Sequence, residues 1–109
     1  MRLTANLTGT AGTGTATIRL RAGQGTACFQ FTNLPTGFTF ALAHIHRGSN
    51  TGPIVVPFTS TGATTGCVPA GSLATARALV REILTNPGEF WVNLHLGDGT
   101  VVLSGQLTR

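Results

Sequence analysis

The stretch RLTANLTGTAGTGTATIRLR, residues 2–21, decides the fold class of this chain. Apolar and polar residues alternate over residues 2–9, and they do so again over residues 14–21. Alternation with a period of two places every apolar side chain on one face of a β-strand. The stretch therefore predicts two half-buried strands, joined by a short turn that contains glycine.

Similar segments extend outward from this pair to the end of the chain. Turns rich in Gly, Asn and Pro separate them, and Pro57 restricts its own segment to an edge or an end of a sheet. The sequence GDG, residues 97–99, is typical of a β-hairpin. The further predicted strands are TACFQFTNLP at 26–35, FTFALAHIH at 38–46, IVVPF at 54–58, a short one at Cys67, EFWVNLHL at 89–96 and TVVLSGQLT at 100–108.

The hydrophobic period changes in SLATARALVREILTNP, residues 72–87. Apolar residues recur there at intervals of three and four, which predicts one amphipathic helix over about residues 72–85. Ser72 is suited to the N-cap, and Asn86 followed by proline ends the helix. The helix is expected to cover an open end or edge of the sheet. Its apolar positions are Leu73, Ala76, Leu79, Val80, Ile83 and Leu84.

The composition places all of these elements in one domain, residues 1–109. Charged residues make up only 9% of the chain, but a hydrophobic fraction of 41% with periodic placement favours a folded protein over a disordered one. We predict an all-β fold, either a Greek-key or immunoglobulin-like β-sandwich or a flattened barrel. It has about eight strands and one short α-helix.

The charge pattern excludes several classes of function. The net charge is +4, and all seven basic residues are arginines spread along the sequence without interleaved aromatic residues, so no nucleic-acid binding is expected. No apolar run approaches the ~20 residues of a membrane span. The glycines of the first segment lie between strands and not before a helix, so no nucleotide or organic cofactor is expected.

The two cysteines, Cys28 and Cys67, favour a disulfide, since an even count in a small β domain is typical of an oxidising compartment. Two reduced thiols in a cytosolic protein are the alternative. No signal peptide precedes MRLTANL, residues 1–7, so we interpret the chain as a mature form with an added initiating Met. The expected location is secreted or extracytoplasmic.

The three histidines suggest a metal site. His44 and His46 share one face of a predicted strand, and His95 lies on another strand. If the two strands are neighbours, the three imidazoles can hold one Cu or Zn ion and leave a coordination position open for water. Asn93 is the candidate to orient an imidazole, and Arg47 would place positive charge near the opening.

Two placements of this histidine pair are consistent with the sequence. Small residues alternate with the histidines at Ala41, Ala43 and Ile45, and they suit the inner face of the sheet. The histidines would then lie outside, under the loop RGSNTGP, residues 47–53. In the alternative the imidazoles are buried and need hydrogen bonds from Asn93, threonines or the backbone.

Catalysis is not indicated by any motif. The three carboxylates, Glu82, Glu89 and Asp98, form no sequence pair for hydrolysis, and no nucleophile-elbow motif is present. The catalytic residues, if any exist, are unknown from the sequence. An enzyme of this kind would use Lewis-acid or redox chemistry at a single metal ion on the histidines.

Three segments together form a recognisable pattern: AHIHRGSNTGPIVV at 43–56, GCV at 66–68 and ILTNPGEFWVNLHLGDGTVVLSGQL at 83–107. They resemble the CHRD domain, which is found in chordin and in many secreted bacterial proteins. The bacterial version typically reads A-H-I-H-x-G, then G-P-[IV]-V-V, then N-P-x-x-[YF]-[YWV]-V-N-[LVI]-H, and it ends in R-G-Q-L.

This resemblance implies an extracytoplasmic, immunoglobulin-like β-sandwich with a bridge between Cys28 and Cys67. The family's motif histidines correspond to His44, His46 and His95. Two departures stand out: the arginine of the closing R-G-Q-L is Ser104 here, and the last hairpin loop is shortened to LGDG. A looser resemblance is to copper/zinc superoxide dismutase, but three histidines are too few for a two-metal site.

Two functions from different classes remain open at this point. The first is a secreted single-metal protein that uses the three histidines as ligands. The second is a non-catalytic extracellular structural, adhesion or self-assembly module, in which the histidines only brace two strands. Low charge, abundant threonine and potential edge strands suit a partner that is a second copy of the chain or a matrix or surface component.

Overall fold

A computed structural model describes the backbone of residues 1–109 and the side chains of all residues except 73 and 74. Eight strands and one α-helix are found in this part, which confirms the predicted elements. The largest difference is at the fourth strand, which begins at Leu42 and not at residue 38. The elements are β1 Arg2–Gly9, β2 Gly12–Arg21, β3 Thr26–Thr32, β4 Leu42–Arg47, β5 Ile54–Thr59, β6 Thr65–Pro69, α1 Leu73–Thr85, β7 Phe90–His95 and β8 Val101–Gln106.

All eight strands belong to one antiparallel sheet, in the order β5-β4-β7-β8-β1-β2-β3-β6. The sheet curls into a nearly closed barrel, and β5 and β6 are the edge strands at its gap. Of the two architectures that the sequence predicts, the flattened barrel is therefore the one present.

The alternating residues of β1 and β2 fill the barrel interior. Leu3 pairs with Ile18 across the two strands, and both side chains are fully buried. Ala5 and Ala16 form the next inward pair. Because successive side chains point to opposite faces, the polar residues between them lie on the outer surface. The period-two pattern thus fixes which face of each strand is buried.

The helix α1 connects β6 to β7 across one end of the barrel. Its residues Ala76, Val80 and Ile83 face the barrel and are buried. Gly25, in the turn between β2 and β3, has φ +62°, and a Cβ there would lie 2.7 Å from the Cβ of Ala76. Only glycine allows this turn to approach the helix so closely. The predicted inward position of Leu73 lies outside the described side chains.

The ends of the helix lie where the sequence predicts them. Ser72 occupies the N-cap with extended backbone, although its hydroxyl makes no capping bond to the helix. Asn86 is the C-cap, and a short 3-10 turn, Pro87–Glu89, leads into β7. Among the described residues no helix combines the length and apolarity needed to cross a bilayer.

A disulfide joins Cys28 of β3 to Cys67 of β6. The two residues are direct cross-strand partners in the antiparallel pair. Because β6 is an edge strand with a single neighbour in the sheet, the bond attaches it covalently to that neighbour. The predicted bridge is present.

Candidate metal centre

The three histidines lie on two adjacent strands. β4 and β7 pair antiparallel, and His44 stands opposite Asn93 in the register. Ala43 and Ile45 are fully buried in the core, so the alternating His44 and His46 face outward. The first of the two placements considered for the histidines is therefore correct.

The imidazoles converge closely. The ring centroid of His44 lies 5.6 Å from that of His46 and 5.0 Å from that of His95. The ring centroids of His46 and His95 are 5.4 Å apart. One nitrogen from each ring can be chosen so that all three atoms lie within 4.8 Å of one another. Although they are on the outer face, His46 is only 5% exposed and His95 only 7%.

The loop between β4 and β5, residues 48–53, covers the cluster and explains this burial. The His46 Nδ1–H donates to the Gly52 carbonyl oxygen at 2.8 Å. The Asn93 side-chain amide donates to the Asn50 carbonyl oxygen of the same loop. A Cβ on Gly52 would lie 1.8 Å from the carbonyl oxygen of Arg47, so the loop can fold back only with glycine at this position.

The turn between β7 and β8 fixes the third imidazole. The His95 Nδ1–H donates to the carbonyl oxygen of Gly99 at 3.1 Å. Asp98 stabilises this turn, because the Thr100 backbone N–H donates to its carboxylate at 2.9 Å. That hydrogen bond holds the pKa of Asp98 below its usual value.

These hydrogen bonds determine which nitrogen of His46 and His95 has the proton. A carbonyl oxygen only accepts, so Nδ1 must be the protonated atom in both rings, and each Nε2 then has a free lone pair. The two Nε2 atoms face each other at 3.3 Å. Two lone pairs cannot form a hydrogen bond with each other, so the two neutral rings present a pair of free donor atoms to the space between them.

The separation matches a tetrahedral metal site. With Zn–N bonds of about 2.0–2.1 Å, two imidazole nitrogens on a tetrahedral zinc lie about 3.3–3.4 Å apart. The observed Nε2–Nε2 distance of 3.3 Å agrees with this value. Two of the three predicted ligands are therefore already spaced for coordination.

His44 and Asn93 have the two buried polar atoms without a partner among the described side chains. They are Nδ1 of His44 and Oδ1 of Asn93. The two residues stand directly opposite each other on β4 and β7. Buried polar atoms are almost always hydrogen-bonded in folded proteins, so this pair marks a place where the site is incomplete.

Burial keeps the imidazoles of His44 and His46 neutral. The pKa of His44 falls from 6.5 to about 4, chiefly because the ring is buried and also because of charge repulsion by His95 and His46. Burial also lowers the pKa of His46, against an opposing effect of the hydrogen bond to Gly52. Both rings are consequently uncharged near pH 7, which is the form that binds metal ions.

The metal-free protein is expected to lose stability as the pH falls from 6.5 toward about 4. The folded state resists protonation of His44 in this range, whereas the unfolded chain takes up the proton at its ordinary pKa. The stabilising contribution is complete above pH 6.5 and is lost as the pH drops to the folded-state value. Denaturant unfolding in the presence of a chelator, across this pH range, measures the effect.

The His44→Asn variant is the control for this pH dependence. Its unfolding free energy should vary less with pH between 6.5 and 4.5 than that of the parent protein. An identical pH dependence in the two proteins would show that His44 is not held neutral by the fold.

Arg47, at the end of β4, links this strand to the helix α1. Its guanidinium forms an ion pair with Glu82 of the helix, with one N–H···O contact at 3.0 Å, and it lies 5.1 Å from the centre of the Phe90 ring. The hydrogen bond from Arg47 holds the pKa of Glu82 below its usual value. Arg47 therefore attaches the helix to the barrel, and its role in placing positive charge near the histidines stays a prediction.

The sequence gives no sign of the groups that orient the imidazoles. They are backbone carbonyl oxygens of Gly52 and Gly99, and a carbonyl has no side-chain signature. Only the glycine-rich composition of the two loops hints at the tight backbone they need.

The loop between β4 and β5 is further held by the Asn50 amide, which donates to the hydroxyl of Ser104 at 3.3 Å. Ser104 stands where the closing R-G-Q-L motif has arginine.

An eight-stranded antiparallel barrel with a disulfide and a three-histidine cluster under a short loop defines the class of this protein. The family model described as the CHRD domain matches residues 3–106. The chain belongs to the CHRD domain family, as its motifs suggest. Searches of curated proteins and of solved structures found no match.

Proposed function

We propose that this CHRD domain is an extracytoplasmic protein that binds one Cu or Zn ion through His44, His46 and His95. The observation that carries the proposal is the pair of Nε2 atoms of His46 and His95, which face each other at 3.3 Å while both Nδ1 atoms donate to carbonyl oxygens. A metal ion between the rings turns this lone-pair repulsion into two bonds.

The donor set suits these two metals. Three neutral imidazoles without a carboxylate are favourable ligands for Zn²⁺ and for copper, and unfavourable ones for Mg²⁺ or Ca²⁺. Among the described residues the histidines form a ligand group by themselves. Three protein ligands leave a coordination position for water or a substrate, where the ion would supply Lewis-acid or redox chemistry.

Asn93 would complete the site through His44. A small rotation of the His44 ring would let its Nδ1–H donate to the unpartnered Oδ1 of Asn93, its direct neighbour across the strands. Nε2 of His44 would then have a free lone pair like those of the other two rings. Each ligand would have one oxygen acceptor at Nδ1, an arrangement common around protein-bound zinc.

The disulfide supports a location outside the cytoplasm. Cys28 and Cys67 form a bond that persists in oxidising compartments and is rare where glutathione keeps thiols reduced. Because both cysteines are in the disulfide, no thiol of this chain competes with the histidine cluster for a metal ion.

Metal content tests the proposed function. Protein that has been stripped of metal, equilibrated with Zn²⁺ or Cu²⁺ and desalted should retain close to one equivalent of the ion by plasma emission spectroscopy. His95→Ala should retain almost none, because two imidazoles hold an ion far more weakly than three. Its circular dichroism spectrum should remain that of the parent protein.

The matched control is Asp98→Asn. It removes a carboxylate from the turn that orients His95 but leaves all three imidazoles in place, so one equivalent should be retained. Loss of the ion in Asp98→Asn but not in His95→Ala would contradict the ligand role of His95. Absence of stoichiometric metal in the parent protein would contradict the proposal.

A second candidate function is a structural, adhesion or self-assembly module without metal. It is favoured by the bonds that tie two loops to the strands through His46 and His95, since they brace the fold whether or not an ion is present. The edge strands β5 and β6 offer unpaired backbone groups to a second copy or to a matrix component. A metal-free protein in which His95→Ala strongly lowers stability would support this candidate.

A further inference from the structure

The outer face of β1 and β2 brings together Arg2 and two arginines that lie far from it in the sequence. Arg2 stands directly opposite Arg19 in the antiparallel pair, and Arg21 follows two residues along the same strand. All three side chains are exposed, because the inward positions are taken by Leu3, Ile18 and Leu20 and their neighbours. We call Arg2, Arg19 and Arg21 the arginine face.

No acidic side chain neutralises this face. The chain has only three acidic side chains, and among the described residues neither these nor the C-terminal carboxylate forms an ion pair with the arginine face. Glu82 is bound to Arg47, Glu89 lies in the 3-10 turn before β7, and Asp98 lies in the hairpin between β7 and β8. Like charges directly opposite each other on two strands destabilise a sheet, so a bound anion would stabilise this one.

A groove of about 260 Å³ adjoins the arginine face on the outer surface of β2, β3 and β6. Arg19 and Arg21 line it together with the Cys28–Cys67 disulfide. The cross-strand register adds a row of uncharged polar side chains that also line it: Thr17, Gln30 and Thr65. Charged donors thus stand beside groups that donate to and accept from hydroxyls.

We infer that this groove binds an acidic polysaccharide. The guanidinium groups of Arg19 and Arg21 bind its carboxylate or sulfate groups, since the planar fork of arginine matches both anions. The row of Thr17, Gln30 and Thr65 binds the sugar hydroxyls. Arg2 extends the positive surface along the polymer beyond the groove.

A single-stranded nucleic acid does not suit this surface. Such ligands need aromatic side chains on which the bases stack. The one aromatic residue lining the groove, Phe29, points into the core and is 4% exposed. The face therefore offers charge and hydrogen bonds but no stacking platform.

Affinity measurements with defined polymers test this inference. Dextran sulfate and polygalacturonate provide the sulfate and carboxylate arms, and neutral dextran is the uncharged control. The parent protein should bind one or both acidic polymers at low salt and lose affinity as salt screens the charges. The double variant Arg19→Gln/Arg21→Gln should bind about tenfold or more weakly, the effect of losing charge-assisted hydrogen bonds.

Arg81→Gln is the matched control, since it removes one exposed positive charge from the helix and not from the arginine face. Its affinity should stay within about twofold of the parent value, as expected when only a distant charge is lost. Failure of both acidic polymers to bind at low salt would overturn the inference. So would an equal loss of affinity in Arg81→Gln, or tighter binding of single-stranded DNA than of either polysaccharide.

The arginine face and the histidine cluster are separate sites. The arginine face and the histidine cluster are on β1–β2 and β4–β7, with β8 between the two strand pairs in the sheet. Polysaccharide affinity should therefore be the same in His95→Ala as in the parent protein.

Discussion

Reduction of the Cys28–Cys67 disulfide is expected to lower the free energy of unfolding by about 4 kcal/mol. The bond joins residues 39 positions apart, and its loss frees the unfolded chain to explore many more conformations. β6 would at the same time lose its covalent attachment to β3 and remain only as a five-residue edge strand. Urea unfolding with and without a thiol reductant measures the change.

The Cys28→Ser/Cys67→Ser variant separates this effect from other actions of the reductant. Its unfolding free energy should equal that of the reduced parent protein and should not respond to the reductant. A parent protein whose stability is the same in oxidised and reduced form would contradict the stabilising role assigned to the bond.

Gly52→Ala is expected to reduce metal affinity about 10- to 100-fold, the range seen when a group that orients a ligand is lost. A Cβ at this position meets the Arg47 carbonyl oxygen at 1.8 Å, so the loop must move outward. Its movement withdraws the Gly52 carbonyl from His46 and uncovers the cluster. Competition with a chromophoric chelator measures the affinity, and urea unfolding should show a loss of about 1–3 kcal/mol.

Gly23→Ala provides the comparison, because a Cβ there has open space around it. It lies in the turn between β2 and β3, at the helix-covered end of the barrel, and should leave metal affinity unchanged. If Gly52→Ala binds metal as tightly as Gly23→Ala does, the loop does not position His46.

The fold was predictable because burial follows directly from alternation. In β1 and β2 every second residue is apolar, and these are the residues that fill the barrel. The helix was predictable for the same reason, with a period of three to four residues. The start of β4 was not, because Phe38 and Phe40 continue the apolar pattern while packing on each other outside any strand.

The convergence of the three histidines was predictable from the sequence, and the groups that hold them in place were not. His44 and His46 share a face because they are two residues apart on one strand. Only one further condition was needed to bring His95 to them, namely that its strand is the neighbour of theirs in the sheet. The loop carbonyl oxygen that accepts from His46 could not be predicted, because its position depends on how the loop folds back over the strand. The ion pair between Arg47 and Glu82 could not be predicted either, because the two residues are far apart in the sequence.

The arginine face shows the same limit in another form. Arg2 and Arg19 are 17 positions apart in the sequence, and nothing local marks them as neighbours. Only the register of the β1–β2 pair, which the turn between them sets, brings their charges together. A dispersed distribution in sequence therefore becomes a cluster on the surface.

Nitrogen-15 NMR of the imidazole rings during a titration with Zn²⁺ tests the metal site most directly, because it reports the protonation and coordination of each nitrogen. Nδ1 of His46 and His95 should be protonated before the metal is added. Nε2 of all three histidines should shift to the metal-bound range at one equivalent. Nitrogen spectra that stay unchanged with excess Zn²⁺, and likewise with Cu⁺, would contradict the proposed metal site.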